Sequence, residues 1–244
     1  MEKLSDNMFS DNAKTSCEEI RGNYLRILDS VRDAAAAANR SNHNDKVRIM
    51  AVTKTVAVDK INFAVGLGID LLGENRVQEF LDKREGYSPA EIHFIGGLQT
   101  NKVKYIIDKV SMIHSVDSMR LAEEINRRAG QNGIIMDILT EINIGEEKTK
   151  GGISAPDAEE FCAEISKLEN VRLRGLMTIP PPGCSESCFA RMQELFEQLK
   201  RRFDTDNAPF DTLSMGMSGD FEAAIKYGAT IVRIGSGLFG YRKY

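Results

Sequence analysis

The sequence predicts a single closed, parallel (β/α)8 barrel of the α/β class, with one extra helix before it. Three observations carry this expectation. From Val47 onward, eight short apolar runs alternate with longer segments of helical periodicity. No interior stretch rich in Pro, Gly or Ser divides the chain. Its 244 residues match the ~250 typical of a one-domain (TIM) barrel. A doubly wound open sheet is the competing architecture, and the count of strand–helix units favours the barrel.

The elements follow in order. Residues 1–15 read as a flexible polar tail ahead of a 16–244 barrel domain. Ile20, Tyr24, Ile27, Leu28 and Val31 have helical spacing from Ser16 on. The alanines Ala34–Ala38 extend that helix, and Asn39 through Asp45 end it. The strand-like runs are Val47–Val52, Asp70–Leu72, Glu91–Ile95, Ser111–Ser115, Ile134–Ile144, Val171–Ile179, Thr212–Met215 and Thr230–Ile234. Helical stripes lie between the later ones: Leu121, Ile125 and Ala129; Phe161, Ile165 and Leu168; Met192, Leu195, Phe196 and Leu199; Phe221, Ala224, Ile225 and Tyr227. Pro180-Pro181-Pro182-Gly183 follows a strand and precedes a helix, so it reads as a stiff loop at the barrel mouth.

Composition excludes several classes of function. With 42% hydrophobic and 28% charged residues, the chain is an ordinary soluble globular one. The formal charge of −4 is spread among interspersed acids and bases, with no basic stripe for nucleic acid. No apolar run approaches the ~20 residues of a membrane span. The polar start, Met1-Glu2-Lys3-Leu4-Ser5, is not a secretory signal, so the cytoplasm is the expected location. Cys17, Cys162, Cys184 and Cys188 read as free thiols. Cys184 and Cys188 are four apart, but His43, His93 and His114 are isolated and complete no metal site, so no metal is expected.

Barrels of this kind place their chemistry at the C-terminal ends of the strands. Those ends carry Lys54, Gly73-Glu74-Asn75, Gly96-Gly97-Leu98-Gln99, Asn143 with Glu146 through Lys150, Met177-Thr178, Gly216-Met217-Ser218, and Arg233 with Gly235 and Ser236. Turns after the last two strands are the usual phosphate position. Glycine-freed N–H groups, helix N-termini and the Ser218 and Ser236 hydroxyls suit a dianion there. Alternatively, the glycines only make tight turns and Ser218 caps a helix. Lys54 ends an apolar strand at the mouth. It is either a solvent-reaching cation or an amine that attacks an aldehyde when neutral, a form favoured by partial burial near Arg233. Arg233 lies in the apolar run Val232-Arg233-Ile234 and needs a fixed partner, either a carboxylate or a ligand ring nitrogen. An amine beside a phosphate cradle can hold an aldehyde phosphate covalently, which makes pyridoxal 5'-phosphate the first ligand to consider.

The strings Val52-Thr53-Lys54-Thr55, Gly73-Glu74-Asn75-Arg76-Val77-Gln78-Glu79, His93 through Lys102 (HFIGGLQTNK), Arg174-Gly175-Leu176-Met177, Gly216-Met217-Ser218 and Val232-Arg233-Ile234-Gly235 resemble the pyridoxal phosphate homeostasis protein family. The resemblance runs from about Ser16 to the C-terminus. It implies a barrel like the N-terminal domain of alanine racemase. It also implies that Lys54 forms a Schiff base with the cofactor, Asn75 and Met177 lie near it, Arg233 faces its pyridine nitrogen, and Ser218, Gly235 and Ser236 bind its phosphate. Lys150 matches a basic loop residue that assists cofactor handling, and Lys148 beside it raises the question of a second, transient site. Gly97 stands where many members have proline, Leu72 and Ile92 where aromatics are frequent, and Ser236 replaces a common threonine.

Three functions are open on these residues. The first is a non-catalytic or barely catalytic carrier in vitamin B6 homeostasis, a monomer or weak dimer that delivers the cofactor to apo-enzymes. The second is a pyridoxal-phosphate-dependent amino-acid racemase, with Tyr227 or Tyr241 as its second acid/base. The third is a cofactor-free phosphosugar barrel with Glu74 as base and Lys54 as electrophile.

Overall fold

The computed structural model of the chain describes residues 6–38, 47–147 and 150–240. The elements are α1 (Asp6–Ala37), β1 (Arg48–Val52), α2 (Val58–Gly66), β2 (Leu71–Glu74), α3 (Val77–Lys83), β3 (Glu91–Phe94), β4 (Met112–Val116), α4 (Met119–Gln131), β5 (Met136–Glu141), α5 (Ala158–Ile165), β6 (Val171–Met177), α6 (Ser185–Phe203), β7 (Thr212–Met217), α7 (Phe221–Lys226), β8 (Ile231–Ile234) and α8 (Ser236–Phe239). The eight strands pair in parallel, each with its neighbour in sequence, and β8 returns to β1 to close the barrel. The expected (β/α)8 architecture with an extra N-terminal helix is the one observed.

Two parts of the fold differ most from expectation. α1 begins at Asp6, not Ser16. No proline or glycine interrupts residues 6–21, so helix propagates through positions that carry no apolar stripe. Between β3 and β4 the connection is a short 3-10 helix, Thr100–Tyr105, in place of an α-helix. Residues 1–5 of the expected tail, and the segment expected to end α1, lie outside the described residues.

Alternation along the strands divides the core in two. Ala51, Leu72, Phe94, Leu213 and Val232 face outward and pack with the buried faces of the helices. Inside the barrel, Met50, Val52, Leu71, Ile95 and Ile231 form one apolar cluster, and Met112, Leu139 and Met177 another. α1 lies against α2, α7 and α8, burying Ile20, Ile27 and Val31. Asn23 Nδ2 donates to the Leu238 carbonyl (2.9 Å), which ties α1 to the last turn of the chain.

Pairing of β5 with β6 skips a residue. Ile138 lies opposite Leu173, and Leu139 opposite Gly175. The bulge puts Gly175 at φ +145°, where a Cβ would sit 1.9 Å from the Thr212 carbonyl oxygen of β7. Only glycine lets β6 bend and still pair with β7. At the N-terminal face, Arg48 pairs with Glu91 (2.8 Å) and Asp70 (3.4 Å). The hydrogen bond from His93, helped by Arg48, holds the Glu91 carboxyl down to about 2.

Gly175→Ala is expected to cost about 3 kcal/mol or more, read as a lowered midpoint in urea unfolding; an unchanged midpoint would remove the bulge from the account. Because the folded value of Glu91 lies below its ordinary 4.5, its stabilisation is complete above about pH 4.5 and is lost as pH falls toward 2. Its side chain is 37% exposed, so screening limits the effect to about 1 kcal/mol. Glu91→Gln should flatten that acid limb in thermal melts taken across the same range.

Candidate functional site

The end of β1 is held from below and from the side. Thr53 is fully buried. Its N–H donates to the Gly73 carbonyl (3.1 Å) and its hydroxyl donates to Glu74 Oε1 (2.6 Å). Thr55, one residue beyond Lys54, adopts φ +62°, a left-handed conformation costly for a β-branched residue. α3 holds that turn in place. The Thr55 N–H donates to Glu79 Oε1, Lys83 pairs with the same oxygen (2.5 Å), and the Lys83 ammonium also donates to the Thr53 carbonyl (3.2 Å). Lys54 is thus the middle residue of a clamped three-residue turn, half-buried at the mouth.

At the end of β2, Glu74 and Asn75 part company. Glu74 is fully buried and accepts hydrogen bonds from Thr53 and from the Tyr87 hydroxyl (2.5 Å). Burial pushes its carboxyl above the usual range, against those two hydrogen bonds. It does not reach the mouth, so the phosphosugar reading loses its base. Asn75 turns into the barrel mouth, and its Oδ1 is buried without a hydrogen-bond partner among the described residues. Gly96 of the next strand end backs it closely: a Cβ there would fall 2.1 Å from the Asn75 carbonyl oxygen. Space around Gly97 is open, so that position has room for a bulkier residue.

Arg233 is 4% exposed. Its guanidinium donates to Ser214 Oγ (2.8 Å) and to the Thr178 carbonyl (2.8 Å). The carboxylate pair considered from sequence is replaced by these neutral acceptors. Burial draws the guanidinium down to about 10, offset by the more distant charges of Glu141 and Asp220, and it stays a cation at neutral pH. Glu141, at the end of β5, is pushed up to about 6 by burial and by Asp117.

The turns after β7 and β8 form one wall. The Gly237 N–H donates to Ser218 Oγ (3.0 Å). Ser218 does not cap α7. Asp220 holds that position, accepting from the Met217 N–H (2.7 Å) and from the Ser185 hydroxyl (2.8 Å).

These ends enclose a cavity of about 480 Å³. Six residues expected from sequence line it: Lys54, Asn75, Ser218, Arg233, Gly235 and Ser236. Met177 is not on its wall. It pairs in register with Ser214, four residues before Ser218, and packs beneath with Met112 and Leu139. Ile95, Ile179 and Met217 supply apolar surface that sequence reasoning did not assign. Ile179 and Met217 remain 40% and 39% exposed, which is high for large apolar side chains and marks the rim. An adjoining polar cleft, reaching Lys60 and Phe239, shares Lys54, Gly235 and Ser236. Lys150 pairs with Glu147, in a loop where Asn143 and Glu147 exchange hydrogen bonds. Lys148 and Tyr241 lie outside the described residues. Tyr227 packs against the helix layer with Lys226 over its ring, away from the cavity wall. Among the described residues no helix is long and apolar enough to cross a membrane.

The sequence profile of the family described as alanine racemase, N-terminal domain, matches residues 28–243. The pyridoxal phosphate homeostasis protein of Aquifex aeolicus is 44% identical over 235 residues, covering 94% of this chain and 99% of that one. The protein of the same name from Escherichia coli K12 is 37% identical over 234 residues, covering 93% and 98%. Among solved structures, PipY of Synechococcus elongatus with PLP bound superposes with a TM-score of 0.72 at 30% identity, covering 86% of this chain and all of that one. An alanine racemase of Clostridium difficile, 18% identical with a TM-score of 0.64, covers 89% of this chain and 57% of its own, a likeness of fold.

Glu79→Ala removes the acceptor that holds Thr55 left-handed and should cost about 1 kcal/mol. It should also speed acylation of Lys54 in footprinting by mass spectrometry. An unchanged labelling rate would mean that α3 does not position the lysine.

Proposed function

The chain belongs to the pyridoxal phosphate homeostasis protein family, and from that premise we propose that it binds pyridoxal 5'-phosphate covalently through Lys54. It acts in the cytoplasm as a carrier of vitamin B6 cofactor, handing it to apo-enzymes.

The observation that carries this reading is the convergence on one cavity of an amine, a buried guanidinium and two hydroxyl-bearing turns, from strands at opposite ends of the chain. The cavity suits the ligand in size, since small-molecule pockets run from ~300 to 1,000 Å³. The orphaned Asn75 Oδ1 is a polar atom in need of a partner, which a ring substituent provides. When bound, the cofactor supplies an aldehyde to the amine and a phosphate dianion to the loops. Lys54 is the residue whose amine would hold that aldehyde carbon covalently. Ser218, Gly235 and Ser236 hold the phosphate by hydroxyl and N–H donors. Ile179 and Met217 cover apolar ring surface at the rim, and Met177 fills the barrel beneath.

Arg233 favours holding over turnover. A guanidinium does not give up its proton, so a ring nitrogen facing it stays unprotonated and is a weak electron sink. Carbanion chemistry, which a racemase needs, is poorly served by that pairing. Incubation with amino acids in deuterated solvent is expected to give no exchange at Cα above background.

Purified with the cofactor, the protein should show a visible absorbance band that borohydride bleaches. Lys54→Ala should lack the band and should hold the cofactor at least tenfold more weakly, as loss of a dominant contact implies. A Lys54→Ala protein that keeps the band would overturn the reading.

A further inference from the structure

Two histidines are sealed inside the barrel, and neither lines the cavity. His114 is fully buried and His93 is 1% exposed. They sit in an unbroken series of side-chain hydrogen bonds along the barrel axis. Arg233 donates to Ser214 Oγ (2.8 Å). Ser214 Oγ meets His114 Nδ1 (3.1 Å). His114 Nε2 meets His93 Nδ1 (2.9 Å). His93 Nε2 meets Glu91 Oε1 (2.7 Å), whose other oxygen pairs with Arg48 (2.8 Å). The series crosses from β8 through β7, β4 and β3, joining the mouth to the N-terminal face.

The two ends fix its direction. A guanidinium only donates and a carboxylate only accepts. His114 is neutral, because burial and the nearby Arg233 guanidinium disfavour its cation. If its one hydrogen is on Nε2, every junction pairs one donor with one acceptor. Ser214 accepts from Arg233 and donates to His114 Nδ1. His114 Nε2 donates to His93 Nδ1, and His93 Nε2 donates to Glu91. If the hydrogen is on Nδ1 instead, His93 must carry two hydrogens. That puts a second cation in the same interior as Arg233 and leaves the Ser214 hydroxyl hydrogen without its acceptor. Both changes are costly away from water.

We propose that Ser214, His114 and His93 are positioning residues for Arg233: they form a one-way hydrogen-bond chain, anchored at Glu91 and Arg48, that fixes the guanidinium against the cavity. With one terminal nitrogen held by this chain and the other by the Thr178 carbonyl, the guanidinium plane has no freedom to turn. The chain belongs to the protein without ligand. Its consequence for binding rests on the pyridoxal phosphate reading, in which the ring nitrogen meets Arg233.

Long-range 1H–15N spectra of the ligand-free protein test it. Both imidazoles should carry their hydrogen on Nε2, and the Arg233 guanidinium hydrogens should exchange slowly with solvent. Ser214→Ala, which removes one buried oxygen, should keep a cooperative melt, speed exchange at Arg233 and weaken cofactor binding roughly tenfold or more, the scale of a hydrogen bond to a charged group. His114→Leu should do the same, and His114→Gln, whose amide offers both a donor and an acceptor, should recover part of the loss. If His114→Leu does not fold, Ser214→Ala decides. Hydrogen on Nδ1 of either ring, or unchanged Arg233 exchange in Ser214→Ala, overturns the proposal. If the wild-type spectra and exchange are as expected but the protein takes up no pyridoxal 5'-phosphate, the chain stands and the cofactor reading falls.

Discussion

The pairing of β1 with β8 is the interaction on which the rest depends. It closes the barrel and sets Met50 opposite Arg233 and Ala51 opposite Ile234. That register brings Lys54, just past the end of β1, to the same cavity as Gly235 and Ser236. The amine and the turns after β7 and β8 lie 164 to 182 positions apart in sequence and share a site only because the sheet has no edge. A slip of one residue would invert which side chains face inward, moving Arg233 out of the interior. The α1 helix and its Asn23 bond to the Leu238 carbonyl brace this seam from outside.

The mouth is built from parts that would be unfavourable elsewhere. Thr55 is left-handed, Arg233 is a buried cation and Asn75 keeps an unpartnered oxygen. Each is held by neighbours: Glu79 and Lys83 for Thr55, neutral acceptors for Arg233, the close backbone of Gly96 for Asn75. Strained and orphaned groups gathered at one barrel mouth are what a preformed ligand site requires. The polar axis beneath, through His114 and His93, sits between two apolar clusters of the barrel interior. Buried polarity thereby extends well below the cavity floor.

Much of this was legible in the sequence, for physical reasons. Parallel strands buried on both faces read as short apolar runs, so all eight could be found. β2 extends to Glu74, beyond the Asp70–Leu72 run, because Gly73 and Glu74 break the apolar pattern while still pairing with β3. The strand-end rule located Lys54, Asn75, Ser218, Arg233, Gly235 and Ser236. It could not rank depth, and so did not foretell that Met177 lies beneath the wall. Ile95, Ile179 and Met217 look like any apolar residue until the cavity gives them a side to face. The axial chain left no trace in sequence: His93 and His114 are 21 positions apart, and only register and alternation bring them together. The partners of Arg233 were invisible for the same reason.

Diffraction from crystals grown with pyridoxal 5'-phosphate tests the central claim most directly. The account predicts continuous density from Lys54 Nζ to the ligand's aldehyde carbon, with the phosphate against the turns after β7 and β8 and Arg233 at the ring nitrogen. An empty mouth, or the ligand joined to a different lysine, would contradict it.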